Sequence, residues 1–397
     1  MKIKVLGIIL VGMITMNVQA QMGHTVQINL AVEVGAHTDD AIYLTGNFNR
    51  WNPKEEQYKL QPNAEREGSY SLVLRNIPTG VLEYKFTRGS WQTLECSPQG
   101  RLMNLHDYVI QEDRELDEQI QAWRDQYPAS TAPDQLVVLE NFILPELHRT
   151  RAIRIYVPKN YKTSQQAYPV WYMHDGQDLF DEATSEGRLG PVEWGVDEII
   201  ARFGDQYIIV GIDHEYEKNT REKEYAFFPT IQTPTAEGKQ YLAFIVQTLK
   251  PYIDANYRTL KEKEHTGIAG GSLGGLISLY GGLTYPEVFG KVGVFSPSLW
   301  QDQQQIQAYI ATFTSAHKKQ LQQQRYFFYA GGRENRKIGA EQVVHMDQDV
   351  LAFIQEISKQ VKIKQEVKID PMGKHGAWYW QQAFAWMIEL DNQFNLK

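Results

Sequence analysis

The amino-acid sequence predicts an α/β protein with a smaller all-β region at its N-terminal end. From about residue 135 onward, strand-length apolar segments alternate with helix-length segments. This order is typical of a mostly parallel sheet with helices on both faces. Residues 24–123 instead contain short runs of alternating polar and apolar residues, broken by Asn, Gly and Pro. Such period-two runs indicate a β-sandwich.

The first twenty residues are expected to be an export signal that is not part of the fold. Lys2 and Lys4 precede an apolar run over residues 5–18, and Val18 and Ala20 fit the small-residue positions that a signal peptidase reads. A membrane anchor is the alternative, but the run is shorter than the ~20 residues that span a bilayer. We expect cleavage after about Ala20 and a periplasmic or secreted protein without stable membrane insertion.

The predicted sandwich covers residues 21–123, and a polar, proline-bearing linker follows over residues 124–134. The run at residues 116–123 fits either a short helix or the last strand, and we favour the strand. The other strands of this region are expected at residues 26–34, 41–44, 69–74, 82–87 and 107–111.

The predicted α/β domain covers residues 135–397. The glutamine-rich stretch at 301–324 is expected to be a solvated helix or loop. Helices are expected at residues 196–203, 238–256 and 273–283. Strands are expected at residues 151–157, 169–173, 207–212, 267–269, 326–330 and 367–369.

Composition and charge exclude several classes of function. Of the 397 residues, 42% are hydrophobic and 22% are charged, which argues against a disordered chain or a polytopic membrane protein. The formal net charge of −8 argues against nucleic acid as the natural partner, because such binding needs a basic surface. The single cysteine, Cys96, excludes an intramolecular disulfide and any metal site built from cysteines. We expect no cofactor.

The strongest chemical signal is the segment Gly270-Gly271-Ser272-Leu273-Gly274, a G-x-S-x-G motif between a short apolar strand and a helix. In that setting the motif is a nucleophile elbow, which predicts that Ser272 is a catalytic nucleophile. The glycines allow the strained turn that exposes the serine hydroxyl. The helix N-terminus and the Leu273 N–H favour negative charge developing beside Ser272. An idle serine in a glycine-rich turn is the alternative.

A serine nucleophile needs a base and an orienting acid, in the chain order serine, acid, histidine. His375 lies on a glycine-flanked loop between a strand and a helix and is the preferred base. Glu334 follows the buried strand at residues 326–330 and is the preferred acid. The less suitable histidines are His265, His317 and His345, and the rival acids are Asp347, Asp349 and Asp370.

The loop after the strand at residues 169–173 is expected to supply the second oxyanion donor. The strand leads directly into His174-Asp175-Gly176-Gln177, where the glycine frees the backbone. The N–H of Gln177 is the preferred candidate and that of Gly176 the next, beside the N–H of Leu273. His174 and Asp175 could suggest a metal site, but two adjacent residues without further clustered ligands make that the weaker interpretation.

Separate blocks within residues 135–395 resemble, in order, an esterase family of α/β-hydrolases that contains esterase D, feruloyl and acetyl-xylan esterases and enterochelin esterases. The resemblance implies a serine esterase with its serine at Ser272 and its histidine at His375, and it indicates the acid by position only. The blocks are WYMHDGQDLF at 171–180, WGVD at 194–197, YIDANYR at 252–258, IAGGSLGG at 268–275, YPEVFGKVGVFSPSLW at 285–300 and GKHGAW at 373–378.

The N-terminal region resembles the starch- and glycogen-binding modules of the early-set immunoglobulin-like class. The resemblance implies an immunoglobulin-like fold and sugar contact by Trp51, Lys85 and Trp91, because indole faces and an ammonium group suit a pyranose and its hydroxyls. A scaffold that walls the active site, with the tryptophans in the core, is the alternative. The similar segments are LTGNFNRWNP at 44–53, LEYKF at 82–86 and GSW at 89–91.

Together these observations predict an exported serine esterase that acts on an acylated carbohydrate or another small ester, such as an acetyl or feruloyl ester of a polysaccharide. Trp194 and Trp300 are candidates for the wall of the substrate pocket, with a place in the core as the alternative. A siderophore trilactone is an alternative substrate, although the acidic net charge disfavours a strongly anionic ferric catecholate. A catalytically idle glycan-binding protein is a further alternative, against which the intact serine and histidine argue.

Overall fold

The computed structural model describes residues 23–395 apart from residues 37–38, 187–191, 216, 218, 231–232 and 339–341. The predicted export signal lies outside the described residues. The chain divides into two compact units between Tyr127 and Pro128, a point that falls inside the predicted linker. Among the helices that the structure describes, none is long and apolar enough to cross a bilayer.

The N-terminal unit is built from strands, and residues 114–120 form one of them, in agreement with the strand that we favoured over a helix there. Two larger sheets have the strand orders β3-β4-β1-β8 and β2-β5-β7, and β6 pairs with β9. The strands are β1 (His24–Val32), β2 (Tyr43–Gly46), β3 (Gln61–Pro62), β4 (Ser69–Ile77), β5 (Gly80–Thr87), β6 (Glu95–Cys96), β7 (His106–Ile110), β8 (Arg114–Ile120) and β9 (Ala122–Trp123).

The two larger sheets of this unit share one hydrophobic core. Val26, Ile28 and Leu30 alternate along β1 and are buried, while the residues between them are more exposed. They belong to the same core cluster as Leu82 and Phe86 of the second sheet. Period-two alternation thus places one face of each sheet inside, as the sequence predicts. The immunoglobulin-like topology remains a prediction.

The C-terminal unit is an α/β structure around one eight-stranded sheet with the order β10-β11-β13-β12-β14-β15-β16-β19. A separate hairpin joins β17 and β18. The strands are β10 (Leu136–Leu144), β11 (Arg149–Tyr156), β12 (Val170–His174), β13 (Ile208–Ile212), β14 (Thr266–Gly271), β15 (Lys291–Phe295), β16 (Arg325–Gly331), β17 (Asn335–Ile338), β18 (Gln342–His345) and β19 (Lys364–Asp370).

Helices follow most of these strands. The glutamine-rich stretch at 301–324, expected to be a helix or loop, contains the two helices α6 and α7. A π-helical segment, Ile245–Leu249, joins α3 to α4. The helices are α1 (Val196–Arg202), α2 (Thr220–Tyr225), α3 (Gly238–Phe244), α4 (Lys250–Asn256), α5 (Leu273–Thr284), α6 (Gln303–Ala311), α7 (Ser315–Leu321), α8 (Met346–Gln360) and α9 (Ala377–Asn395).

The large sheet is mostly parallel, which confirms the predicted fold class. In the sheet order from β13 to β19 every neighbouring pair of strands is parallel, whereas β11 pairs in the antiparallel sense with both β10 and β13. All residues of β12, β14 and β15 are buried, because helices cover both faces of a parallel sheet. Parallel strands end at the same edge, so the segments that follow β12, β14, β16 and β19 come together there.

Candidate active site

Ser272 lies on a sharp turn between β14 and α5. Its backbone has φ 59° and ψ −120°, a sparsely populated region that costs of order 1–3 kcal/mol and persists only where the surroundings hold it. Three backbone hydrogen bonds do so: the Ser272 N–H donates to the Phe295 carbonyl (2.9 Å), and the Ser272 carbonyl accepts from the N–H groups of Leu276 (3.0 Å) and Ser298 (3.2 Å). A Cβ at Gly270 would lie 2.8 Å from the Gly274 carbonyl carbon. The turn therefore requires the glycine before it.

His375 links Ser272 to Glu334 by two hydrogen bonds. Its Nε2 lies 3.0 Å from the Ser272 Oγ, and its Nδ1 lies 2.8 Å from the Glu334 Oε2. These three residues come from loops after β14, β16 and β19, more than forty positions apart in the chain. The order serine, acid, histidine and the spacing near 3 Å are those of a catalytic triad.

The Glu334 side chain is fully buried and has a partner for each oxygen. Its Oε1 accepts from the Gly331 N–H (2.8 Å) and from the Ser296 hydroxyl (2.7 Å), while Oε2 faces His375. None of the three rival acids is hydrogen-bonded to His375 among the described contacts. Asp370 accepts from the Met372 N–H, and residues 347 and 349 lie in the first turn of α8. Of the four sequence candidates, Glu334 is the one that the structure brings to the imidazole.

The turn after β12 packs against the first turn of α5. Asp175 has a left-handed backbone with φ 57°, and a Cβ at Gly274 would lie 3.3 Å from its Oδ2. Arg221 binds both carboxylate oxygens of Asp175, at 2.6 and 2.7 Å. Burial would raise the pKa of Asp175, but the guanidinium outweighs it and holds that pKa well below its usual range. Gln177 is buried and its side-chain amide contacts the His214 ring.

These contacts do not fit a metal site at His174 and Asp175. The Nδ1 of His174 lies 2.8 Å from the Tyr241 hydroxyl. The carboxylate of Asp175 is already paired with Arg221. Within the described parts of the chain, no group of three or more His, Cys, Asp or Glu side chains is placed to hold a metal ion.

The comparison with known families agrees with this fold. A family model described as "Putative esterase" matches residues 145–389, which is more than half of the chain. The protein belongs to this esterase family. Two proteins of Bacillus subtilis (strain 168) are similar: uncharacterized protein YbbA is 29% identical over 165 residues, and uncharacterized protein YjcH is 31% identical over 171 residues. These matches cover 38% and 42% of the chain, and they span 58% and 64% of the two relatives.

Solved structures show the same fold at low sequence identity. The enterobactin esterase FES from Shigella flexneri, solved in the presence of 2,3-di-hydroxy-N-benzoyl-serine, superposes with a TM-score of 0.52 and 15% identity, covering 90% of this chain and 89% of that one. The siderophore hydrolase EstB from Aspergillus nidulans has a TM-score of 0.50 and 17% identity, covering 66% of this chain and 96% of that one.

Two sequence candidates for contact with substrate or sugar lie in less accessible places than expected. Trp194 is 2% exposed and packs against Phe295 and Trp380, so the structure places it in the core and not on a pocket wall. Lys85 is 3% exposed and donates through Nζ to the Met103 carbonyl at 2.9 Å. Its ammonium is thus engaged within the N-terminal unit.

The other aromatic candidates are half-buried. Trp300 lies two residues after Ser298, whose Oγ is 3.3 Å from the Ser272 Oγ, and the Arg336 guanidinium stands 4.8 Å from the centre of the Trp300 ring. Trp51 and Trp91 belong to the N-terminal unit and keep part of their surface exposed. Their contact with sugar remains a prediction.

The sequence analysis missed three residues that support the site. Arg221 holds the turn after β12, and Ser296 and Trp380 stand behind Glu334 and His375. Ser296 falls in the FSPS segment after β15, and Trp380 lies five positions after His375. For Ser296 and Trp380 the available signal was nearness in sequence to motif residues, which does not distinguish a residue that supports the site from one that only fills the core. Arg221 lies outside the motif blocks and had no such signal.

Proposed function

We propose that the protein is a serine carboxylic-ester hydrolase in which Ser272 is the nucleophile, His375 the general base and acid, and Glu334 the orienting acid. The observation that carries the proposal is the continuous hydrogen-bond chain from the buried Glu334 carboxylate through His375 to the serine of the elbow. An idle serine has no need of a strained backbone, a base at 3.0 Å and a buried acid behind that base.

In the proposed acylation step, the Ser272 Oγ attacks the ester carbonyl carbon while His375 Nε2 takes the hydroxyl proton. The imidazolium that forms is stabilised by Glu334, and it then protonates the alcohol oxygen as the carbon–oxygen bond breaks. The alcohol leaves and an acyl-serine remains. In the second step, water attacks the acyl carbon, His375 accepts one of its protons and returns it to the serine oxygen, and the acid departs.

The tetrahedral intermediate carries a negative oxygen that needs preorganised donors. We assign this role to the backbone N–H groups of Leu273 and Gln177. Leu273 is the first residue of α5, where backbone N–H groups lack partners within the helix. The contact of Asp175 with Gly274 supports a second donor from the turn that contains Gln177.

For the substrate, we propose acetyl or feruloyl esters of a carbohydrate. Trp300 is half-buried and follows Ser298, whose hydroxyl lies 3.3 Å from that of the nucleophile, by two residues in the chain. An indole suits an aromatic acyl group or a sugar face. A siderophore lactone is the second candidate, and the Arg336 guanidinium over Trp300 favours it by adding local positive charge to an acidic chain. We also propose export through the N-terminal signal and sugar contact by Trp51 and Trp91.

The serine mechanism is tested with purified Ser272→Ala protein and p-nitrophenyl acetate. We expect activity to fall at least about 10³-fold, because the nucleophile of the covalent pathway is lost. Ser358→Ala is the matched control, since Ser358 lies on α8 and its hydroxyl donates to the Ile354 carbonyl of its own helix. A fluorophosphonate should add its mass to the peptide with Ser272. Hydrolysis by Ser272→Ala at the wild-type rate would refute the mechanism.

The substrate is tested by comparing acetylated xylan, methyl ferulate and a catecholate trilactone under the same conditions. Greater kcat/KM on the first two supports the carbohydrate ester, and greater kcat/KM on the trilactone supports the siderophore. A wild-type protein that cleaves no ester but is retarded in a polysaccharide gel supports the idle glycan-binding protein. Trp51→Ala and Trp91→Ala in the full chain should abolish such retardation.

The proposed export is tested separately. The N-terminal sequence of the exported protein should show cleavage after about Ala20.

A further inference from the structure

We propose that Ser296 and Trp380 are positioning residues that hold Glu334 and His375 in the reactive arrangement. The proposal deepens the proposed function, since it concerns the same triad and rests on the serine mechanism. Neither residue lies within hydrogen-bond reach of the Ser272 hydroxyl among the described contacts. Their action would therefore pass through the acid and the base.

The hydrogen bonds behind Glu334 have a forced direction. The indole N–H of Trp380 lies 3.0 Å from the Ser296 Oγ and can only donate. The single hydroxyl proton of Ser296 then points to the Glu334 Oε1, 2.7 Å away. Together with the Gly331 N–H, this gives Oε1 two donors and turns Oε2 towards His375. Trp380 thus fixes the orientation of the Ser296 hydroxyl, and this hydroxyl fixes the orientation of the Glu334 carboxylate.

Trp380 also packs against the other two parts of the triad. The rings of Trp380 and His375 meet edge to face with centroids 4.8 Å apart, a favourable aromatic arrangement that restricts the imidazole. A Cβ on Gly271, the residue before the nucleophile, would lie 2.7 Å from the same indole. Trp194 supports the indole from the core, with ring centroids 5.5 Å apart. One side chain therefore contacts the elbow, the base and the support of the acid.

Ser296 is held in an unusual conformation that suits this role. It is fully buried and has a left-handed backbone with φ 43°. Its N–H donates to the Tyr329 carbonyl at 2.7 Å, so the strain is held by the neighbouring strand β16. A residue in such a conformation persists where the surroundings over-determine it, and these positions cluster at functional sites.

The test measures kcat and KM for Ser296→Ala, Trp380→Phe and the double variant. We expect Ser296→Ala to lower kcat about tenfold, equal to ~1.4 kcal/mol of barrier, with KM changed less than about twofold. Trp380→Phe keeps a ring but loses the N–H, and should lower kcat in the same way. If both act through one hydrogen-bond chain, adding Trp380→Phe to Ser296→Ala lowers kcat by less than about twofold more.

The matched control is Trp386→Phe, a half-buried tryptophan on the same helix whose ring packs on Phe327. This variant should keep the wild-type kcat, which separates loss of the positioning bond from general loosening of α9. Thermal unfolding of each variant checks that it is folded. A kcat for Ser296→Ala within about twofold of wild type, or two effects that multiply in the double variant, would overturn the proposal.

A second measurement does not depend on turnover. The His375 Nδ1 proton, bonded to a buried carboxylate, should give a low-field proton resonance that disappears in His375→Ala. We expect this resonance to move upfield in Ser296→Ala and to stay in place in Trp386→Phe. An unchanged resonance in Ser296→Ala overturns the positioning role. Undiminished hydrolysis by Ser272→Ala would instead overturn the serine mechanism, so the two failures are distinguishable.

Discussion

A buried histidine in the N-terminal unit leads to a prediction about stability at alkaline pH. His106 stands between two carboxylates, with Nε2 3.0 Å from Glu95 and Nδ1 2.9 Å from Glu118. A neutral imidazole donates from one ring nitrogen, and both nitrogens donate at once only when the ring is protonated. Burial would lower the pKa of His106, but Glu95 and Glu118 outweigh it and raise the pKa to about 10. The folded unit therefore holds an imidazolium.

The size of the effect follows from linkage between protonation and folding. The pKa of His106 is about 10 in the folded chain and ~6.5 in the unfolded chain. Because the folded value is the higher one, the stabilisation is fully present below about pH 6.5 and is lost as the pH rises to about 10. Between pH 6 and pH 9 this amounts to a loss of about 3 kcal/mol, with each shifted pH unit worth about 1.4 kcal/mol.

The assay is scanning calorimetry of the full chain at pH 6, 7, 8 and 9. For a unit of about one hundred residues, 3 kcal/mol corresponds to a fall in Tm of at least ~10 °C. The reference is the double variant Glu95→Gln/Glu118→Gln, which removes both charges that hold the proton while keeping the side-chain sizes. Its N-terminal transition should be nearly independent of pH over this range. If the wild-type transition falls by no more than that of the double variant, the charged-imidazole argument is wrong.

Three further predictions concern the C-terminal unit. Arg221→Met removes the guanidinium that binds both oxygens of the buried Asp175 carboxylate, which keeps its contacts with His214 and the Tyr225 hydroxyl. This change should lower the free energy of unfolding by ~1–3 kcal/mol in urea titrations, and an unchanged midpoint would contradict it. Gly271→Ala forces a Cβ to within 2.7 Å of Trp380 and should cost ~1–3 kcal/mol by overpacking, with a lower Tm as the readout. Ser298→Ala should change kcat/KM less than about threefold, because its 3.3 Å contact with the nucleophile is long for a hydroxyl pair; a tenfold fall would disprove this.

Periodicity predicted most elements of both units because burial repeats along strands and helices. The strand expected at residues 207–212 is β13, and the helix expected at 273–283 is α5. Periodicity did not predict the antiparallel pairing of β10 with β11 or the hairpin of β17 and β18. Pairing partners are set by contacts between distant segments, which leave no repeat in the local sequence.

The site was predictable where a chemical motif constrains the backbone. Ser272 was found because a strained turn between a strand and a helix requires glycines on either side. Glu334 could only be ranked above three aspartates, since nothing local tells which carboxylate reaches the imidazole. Trp194 could not be assigned from sequence: its aromatic ring suited either a pocket wall or the core, and packing against Trp380 places it in the core.

By itself, the sequence determined the mostly parallel α/β class and the position of the strained serine, because these depend on local patterns of burial and turn geometry. It indicated the esterase family through the resemblance of its motif blocks. Only the tertiary structure decided which acid faces His375, how Trp380 and Ser296 stand behind it, and that the Asp175 carboxylate is held by Arg221. These are contacts between residues far apart in the chain. They exist only once the sheet brings its loops to one edge, where a difference of an ångström separates a hydrogen bond from none.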